Sequence, residues 1–310
     1  MSKNHWTAYW KSGVLTSLPA DFKVNYDGEL ADYWLSVLQQ YDQEITTLDV
    51  CTGNGAVAIL VKQLAQQLDL NINMTAVDAS DIKPASILNN FPDMQDVINQ
   101  IDFIGNCLIE NMCEKINSKF ELIVSQYGIE YCETEPAAQN IVKLLKEKGK
   151  FVFISHAPET AMMAYMQTEE QVYQVLEDVK AFEILHQFSN DKTTVNGFKI
   201  KLKACLAAMS LHAAYRSNAL FNTWGNTLSQ LLNMPNAALK QQRIKAKEFS
   251  QQYEFARARA NDMLRVSDKL LNDPKWYQAF ERAGLTLINQ GDIRYQNTHN
   301  VGHFYEFTKD

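Results

Sequence analysis

The stretch TLDVCTGNGAVAIL, residues 47–60, does most to narrow what this chain can fold into. An apolar run ends at Asp49 and Val50, and a turn holding Gly53 and Gly55 follows. Val57, Leu60, Val61, Leu64 and Leu68 then recur at helical spacing. Strand, glycine turn and helix in that order predict a backbone that approaches a ligand closely at a helix N-terminus, where unpaired N–H groups carry partial positive charge. Further apolar runs, NINMTAVD, QIDFIGN, FELIVSQY and KFVFISH, alternate with helical patterns as far as residue 156. Several lack polar/apolar alternation, so they read as strands of a parallel sheet covered on both faces.

The helical stripe AAQNIVKLLKEKGK is expected to end in lysines, with Gly149 as its C-cap. Beyond His156 the period becomes helical, with Val172, Val175, Leu176, Val179 and Phe182 in step, and VNGF at 195–198 reads as a hairpin turn. The segment from Lys240 to Arg265 interleaves basic residues with Phe249, Tyr253 and Phe255 and reads as a solvated helix face with an apolar stripe. Near the end, PKWYQAFERAG is expected to form a helix from Pro274 to Gly284, and LTLINQGDIRY and VGHFYEFTK a terminal antiparallel hairpin. The expected organisation is an N-terminal helical cap over 1–43, an α/β core over 44–156 and 271–310, and a helical insertion over 157–270.

Composition removes several classes of function. With 36 acidic against 29 basic side chains the chain carries a net charge of −7, the wrong sign for neutralising nucleic-acid phosphates or anionic lipid. A small-molecule substrate is expected instead. The five cysteines form no metal-ligand spacing and their odd number disfavours a disulfide framework, so reduced thiols in a cytoplasm are expected. His5, His186, His212, His299 and His303 show no metal-ligand spacing, and no metal is expected. The N-terminus has no secretory apolar core, and no stretch reaches the length of a membrane span.

Two carboxylates flank the glycine turn. Asp78 ends the second apolar run, where it can accept hydrogen bonds from two ribose hydroxyls; adenine dinucleotides and S-adenosylmethionine (SAM) both carry such a ribose. The formal match of GNGAVA to G-x-G-x-x-G/A leaves the same two ligands open. Asp49 helps to choose between them, its other reading being an aspartate that caps the helix or fixes the loop. A carboxylate just before the turn repels a pyrophosphate but suits a ligand ending in an ammonium group.

LDVCTGNGAVA, AVDAS, IDFIGNCLIENM, FELIVSQYGIEY and LLKEKGKFVFISH, followed by the terminal hairpin, together resemble the class I SAM-dependent methyltransferases over residues 44–156 and about 274–309. The resemblance implies a seven-stranded, mostly parallel sheet of order 3-2-1-4-5-7-6 with helices on both faces. It implies SAM as cofactor, with Asp49, Cys51, Gly53 and Gly55 at the first motif and Asp78 on the ribose. Asn106 and Cys107 would border the adenine, and Ser125 and Gln126 would stand at the end of the fourth strand. In this family the segment before the core commonly folds over the cofactor, which implicates Tyr9, Trp10 and Thr16 of HWTAYWKSGVLTSLP. Cys51 stands where the family usually has glycine, and Asn106 where aspartate is common.

The resemblance implies transfer of a methyl group to a small-molecule acceptor. SQYGIEYCE lacks the Asn/Asp-Pro-Pro-aromatic sequence associated with planar nucleobase nitrogens. His156, at the end of the fifth strand, is the candidate base or substrate donor; Gln126 and Tyr127 are expected to reach the cofactor's methionine end or the substrate, and Tyr131 to line the pocket. The insertion is expected to supply a lid, a substrate wall or a homodimer contact. An NAD(P)-dependent oxidoreductase shares the glycine turn and Asp78 but is disfavoured by Asp49 and the terminal hairpin; a catalytically silent SAM-binding protein is the third reading.

Overall fold

The computed structural model describes residues 4–17, 22, 24–158, 160–296 and 299–310. Leu18 and Pro19, at the end of the aromatic N-terminal segment, lie outside them, as do residues 1–3 of the expected cap. By contacts within the chain, two compact units form: residues 1–160 with 265–310, and residues 161–264.

The first unit is built on seven strands: β1 (Ile45–Val50), β2 (Ile72–Val77), β3 (Ile101–Ile104), β4 (Phe120–Gln126), β5 (Leu145–Ser155), β6 (Leu285–Tyr295) and β7 (His299–Lys309). They line up in the order β3-β2-β1-β4-β5-β7-β6. The first five are parallel, and β7 runs antiparallel to both β5 and β6. This is the sheet that the resemblance implied.

Alternation across the pleat explains why the central runs look uniformly apolar. Leu122, Val124, Val152 and Ile154 join one buried layer, and Ile123, Phe151 and Phe153 join the other. The first layer is closed by α2 (Gly28–Leu38), through Leu30 and Trp34, and by α3 (Ala56–Gln67), through Val57 and Ile59. Ile141, Trp276, Phe280 and Phe307 complete the second. A further helix, α1 (Asn4–Lys11), precedes both.

Three local expectations change. The helix Thr134–Leu144 keeps Lys143 in its last turn but stops before Lys146, and β5 starts at once at Leu145, so Gly149 is a strand residue and not a C-cap. The β4–β5 register slips between Phe120↔Leu145 and Leu122↔Lys150, and Lys148 takes a φ of 60° in the bulge. Gly149 is needed there for close approach, since a Cβ on it would stand 2.8 Å from the carbonyl oxygen of Lys146. VNGF is not a hairpin but the first turn of the helix Val195–Ser210, where the Thr194 side chain accepts from the Gly197 N–H at 3.0 Å. PKWYQAFERAG is mostly turn; helix covers only Gln278–Arg282, and Gly284 closes it at φ 107°.

The second unit is helical, with Val172, Leu176, Leu185, Phe188, Phe198, Leu202 and Trp224 in its own core. Within it, Arg257 of the basic segment pairs with Glu170 at 2.5 Å and Glu177 at 2.6 Å. No helix among the described residues is long and apolar enough to cross a membrane.

The β5–β7 junction depends on Gly302, where a Cβ would lie 2.5 Å from the Ser155 carbonyl oxygen and 2.8 Å from Ile154 Cγ2. Gly302→Ala is therefore expected to cost about 1–3 kcal/mol in urea unfolding through overpacking. Gly284→Ala, with nothing within 4 Å but a positive φ, should lose only the strain of the left-handed backbone, about 1–2 kcal/mol.

Candidate functional site

Between β1 and α3 the chain reverses through three left-handed residues, Cys51 (φ 61°), Gly53 (φ 58°) and Gly55 (φ 90°). Asp49, buried at the end of β1, organises this turn. Its Oδ2 accepts from Thr52 Oγ1 at 2.5 Å and from the Ala58 N–H at 3.1 Å, so the first turn of α3 is capped by a carboxylate from the preceding strand. Burial pushes the Asp49 carboxyl up to about 7, against the lowering effect of those two hydrogen bonds. Its other oxygen, Oδ1, is buried without a partner among the described residues.

Asp78 ties the turn to the end of β2. Its Oδ2 accepts from the Gly53 N–H at 2.9 Å, and its Oδ1 from the Ser80 N–H at 2.7 Å. Cys107 donates its N–H to the Asp78 carbonyl at 2.8 Å and Asn106 its N–H to the Ser80 carbonyl at 2.9 Å, which ties buried Cys107 and exposed Asn106 to the end of β2. Gly55 admits the Phe103 ring, which a Cβ would meet at 2.7 Å.

Cys51 is a non-glycine residue in the left-handed region, a conformation that costs about 1–2 kcal/mol. Its side chain fits because position 128 is glycine: a Cβ there would lie 2.3 Å from Cys51 Cβ. Cys51 Sγ lies 3.6 Å from Cys132 Sγ, and that contact, with burial, holds the Cys51 thiol well above the ordinary range.

The N-terminal segment is fastened over this turn. Asn54 Nδ2 donates to the carbonyls of Trp10 and Val14, both at 2.7 Å, and Asn90 Nδ2 donates to that of Gly13 at 3.1 Å. Lys11 pairs with Asp81 at 2.5 Å, and the Tyr9 hydroxyl donates to the Thr16 carbonyl at 3.1 Å. The Trp10 indole lies against Gly53, where a Cβ would stand 2.5–2.8 Å from the ring. A ligand lying on Gly53 must therefore share that surface with the indole or displace it.

At the end of β4, Ser125 Oγ donates to the Val50 carbonyl at 2.9 Å and ties β4 to β1. Gln126 Oε1 accepts from Trp34 Nε1 at 2.7 Å, which leaves Gln126 Nε2 buried and unpartnered among the described residues. Tyr127 takes a φ of 55° and donates its hydroxyl to the Val301 carbonyl at 2.8 Å. Burial holds that phenol well above its ordinary range. His156 lies against Tyr127, ring centroids 4.6 Å apart, and against the edge of Tyr131 at 5.9 Å. Glu130 Oε1 accepts the His156 backbone N–H at 2.9 Å and lies 2.7 Å from His156 Nδ1.

Rings connect the two halves. Tyr131 meets Trp6 edge-on at 6.0 Å, and Trp6 stacks with Trp10 at 6.1 Å, so a run of ring contacts links His156 to the glycine turn. Asn54 and Glu130 escape motif reading. Asn54 is an unspecified position between glycines, and the available signal for Glu130 is a carboxylate inside the otherwise apolar run YGIEY. Five buried atoms in these elements, Asp49 Oδ1, Asn54 Oδ1, Gln126 Nε2, Glu130 Oε2 and His156 Nε2, lack a partner among the described residues. Each such group costs about 1–3 kcal/mol when left dry, and their concentration at neighbouring strand ends suits a polar ligand. Among the described residues, no group of three or more His, Cys, Asp or Glu side chains is placed to hold a metal ion.

No family model matches the chain, and no curated protein matches it. Among solved structures, the chain is similar to the N-methyltransferase NodS of Bradyrhizobium japonicum WM9 in complex with S-adenosylhomocysteine, at 11% identity, covering 98% of each chain with a TM-score of 0.46. It is similar to a SAM-dependent methyltransferase of Clostridium acetobutylicum, at 20% identity over 46% of this chain and 55% of that one, TM-score 0.33. It is also similar to TehB of Haemophilus influenzae, at 12% identity over 47% of this chain and 46% of that one, TM-score 0.33.

The Asp49 carboxyl gives a signed pH effect. Because its folded value is raised from the ordinary carboxylate range to about 7, the folded protein binds the extra proton between those limits. Stability from this group is present at low pH and lost as pH rises from about 4 to about 7, by at most about 4 kcal/mol. Asp49→Asn should flatten that fall in urea midpoints measured at pH 5 and pH 7.5; an unchanged slope contradicts the assignment.

Proposed function

We propose that this chain is a SAM-dependent methyltransferase acting on a small-molecule acceptor. The observation that carries the reading is the hydrogen bond from the Ala58 N–H to Asp49 Oδ2. A diphosphate is ordinarily received by the free N–H groups of the helix that follows a glycine turn. Here a carboxylate of the chain already occupies that position, so a dinucleotide would bring its negative charge against Asp49. A ligand with a cationic end meets attraction there instead.

The parts then have assignable tasks. In this reading Asp78, which accepts the Gly53 N–H, would also accept the ribose hydroxyls, and Cys107 and Asn106 would border the adenine. Asp49 Oδ1 and Gln126 Nε2 suit the ammonium and carboxylate of an amino-acid tail, the first as acceptor and the second as donor. SAM, when bound, supplies a methyl group on an electrophilic sulfonium. The chain's contribution is to hold the acceptor in line and keep water out, which the fastened N-terminal segment and the rings of Trp6, Trp10, Tyr127 and Tyr131 favour. His156, at the end of β5, faces the acceptor in this reading.

Calorimetry with SAM and with NAD tests it. SAM should bind and NAD should not, and Asp78→Asn should weaken SAM by about 1–3 kcal/mol, the scale of a buried charged hydrogen bond. Tight NAD binding without SAM binding reverses the reading. SAM binding with no labelled methyl entering any compound of a metabolite extract leaves a SAM-binding protein without transfer activity.

A further inference from the structure

Glu130 and His156 form a buried, hydrogen-bonded pair. The Glu130 side chain is fully buried and that of His156 is 7% exposed. Oε1 receives both the backbone N–H and, at 2.7 Å, Nδ1 of the same histidine. Where Glu130 Oε1 accepts from an Nδ1–H, the neutral ring keeps a lone pair on Nε2. Nε2 is buried with no partner among the described residues, beside the rings of Tyr127 and Tyr131. Lys269 Nζ secures the turn that carries Glu130, donating to the Glu130 carbonyl at 3.0 Å and to Thr134 Oγ1 at 2.9 Å.

Resting on the methyltransferase reading, we propose that Glu130 is the positioning residue for His156, that His156 Nε2 is the base, and that the acceptor is a weakly acidic hydroxyl of phenol type. A neutral amine already has the lone pair needed for attack, and an ammonium would bring a second positive charge beside a sulfonium. A hydroxyl is neutral, donates the hydrogen bond that Nε2 lacks, and is a poor nucleophile until its proton is withdrawn. As the hydroxyl oxygen bonds to the methyl carbon, its proton passes to Nε2. The carbon–sulfur bond breaks with its electron pair remaining on sulfur, leaving a neutral thioether. The imidazolium is held by the Glu130 carboxylate and returns its proton to solvent as products leave.

The test uses the full chain with histidine ¹⁵N-labelled in the ring, loaded with S-adenosylhomocysteine, and the His156 signals assigned by His156→Gln. Expected at pH 8 is a protonated Nδ1 and a bare Nε2; a proton on Nε2 overturns the pair. Labelled SAM is then offered with phenol, catechol and 4-hydroxybenzoate as probes. Transfer to at least one of them is expected, falling 100-fold or more in His156→Gln and at least tenfold in Glu130→Gln, with SAM affinity by calorimetry within threefold of the parent in both. Glutamine at 130 keeps the acceptor for the His156 N–H, and Glu130→Asp should recover part of the lost rate. Transfer to none of the three phenols, or transfer indifferent to both substitutions, overturns the hydroxyl assignment. Failure of the parent protein to bind SAM overturns the methyltransferase reading, whereas the ring tautomer, read without cofactor, still judges the pair.

Discussion

The Asp49 carboxylate bonded to the N–H of Ala58 is the contact on which the site depends. It joins the last turn of a central strand to the first turn of α3, fixes Thr52 through its hydroxyl, and so sets the path of the glycine turn between them. It also places an acidic side chain where this kind of turn would otherwise attract anions. A buried carboxyl costs free energy, visible in the elevation of its titration to about 7. A ligand bearing positive charge would offset that cost, so in the proposed reading Asp49 selects the ligand as well as holding the turn.

Two departures from a glycine-rich turn are compensated elsewhere in the chain. Cys51 brings a Cβ into a left-handed position, and Gly128, after β4, leaves the space that it fills. Trp10 fills the face that Gly53 leaves open, and Asn54 holds the Trp10 and Val14 carbonyls so that the segment cannot drift from the turn without losing two hydrogen bonds, one of them buried. Residues far apart in sequence are thus matched pairwise, with a missing side chain on one side and an added one on the other.

Much of the fold was legible because the physics is local. Runs such as FELIVSQ and the stripe of α3 carry their own period, and the order of elements then leaves few ways to build a sheet. Where prediction failed, a competing contact, tertiary in one case and a local cap in the other, overrode the signal. Gly149 resembles a helix stop, yet β4 draws the chain into a strand at Leu145. Asn-Gly at 196–197 resembles a hairpin, yet the Thr194 hydroxyl caps a helix there. In the site, Asp49, Gly53 and Asp78 stand out in the sequence, being a strand end or a glycine. Glu130 and Asn54 do not, because each matters only through a partner 26 or 40 to 44 residues away.

A structure of this protein with S-adenosylhomocysteine bound tests the central claim most directly. The account predicts ribose hydroxyls on Asp78, the ligand's amino group at Asp49 Oδ1, and the Ala58 N–H still held by Asp49 Oδ2. Asp49 turned away from α3, with the ligand's carboxylate or another anion on the freed N–H groups, would contradict it.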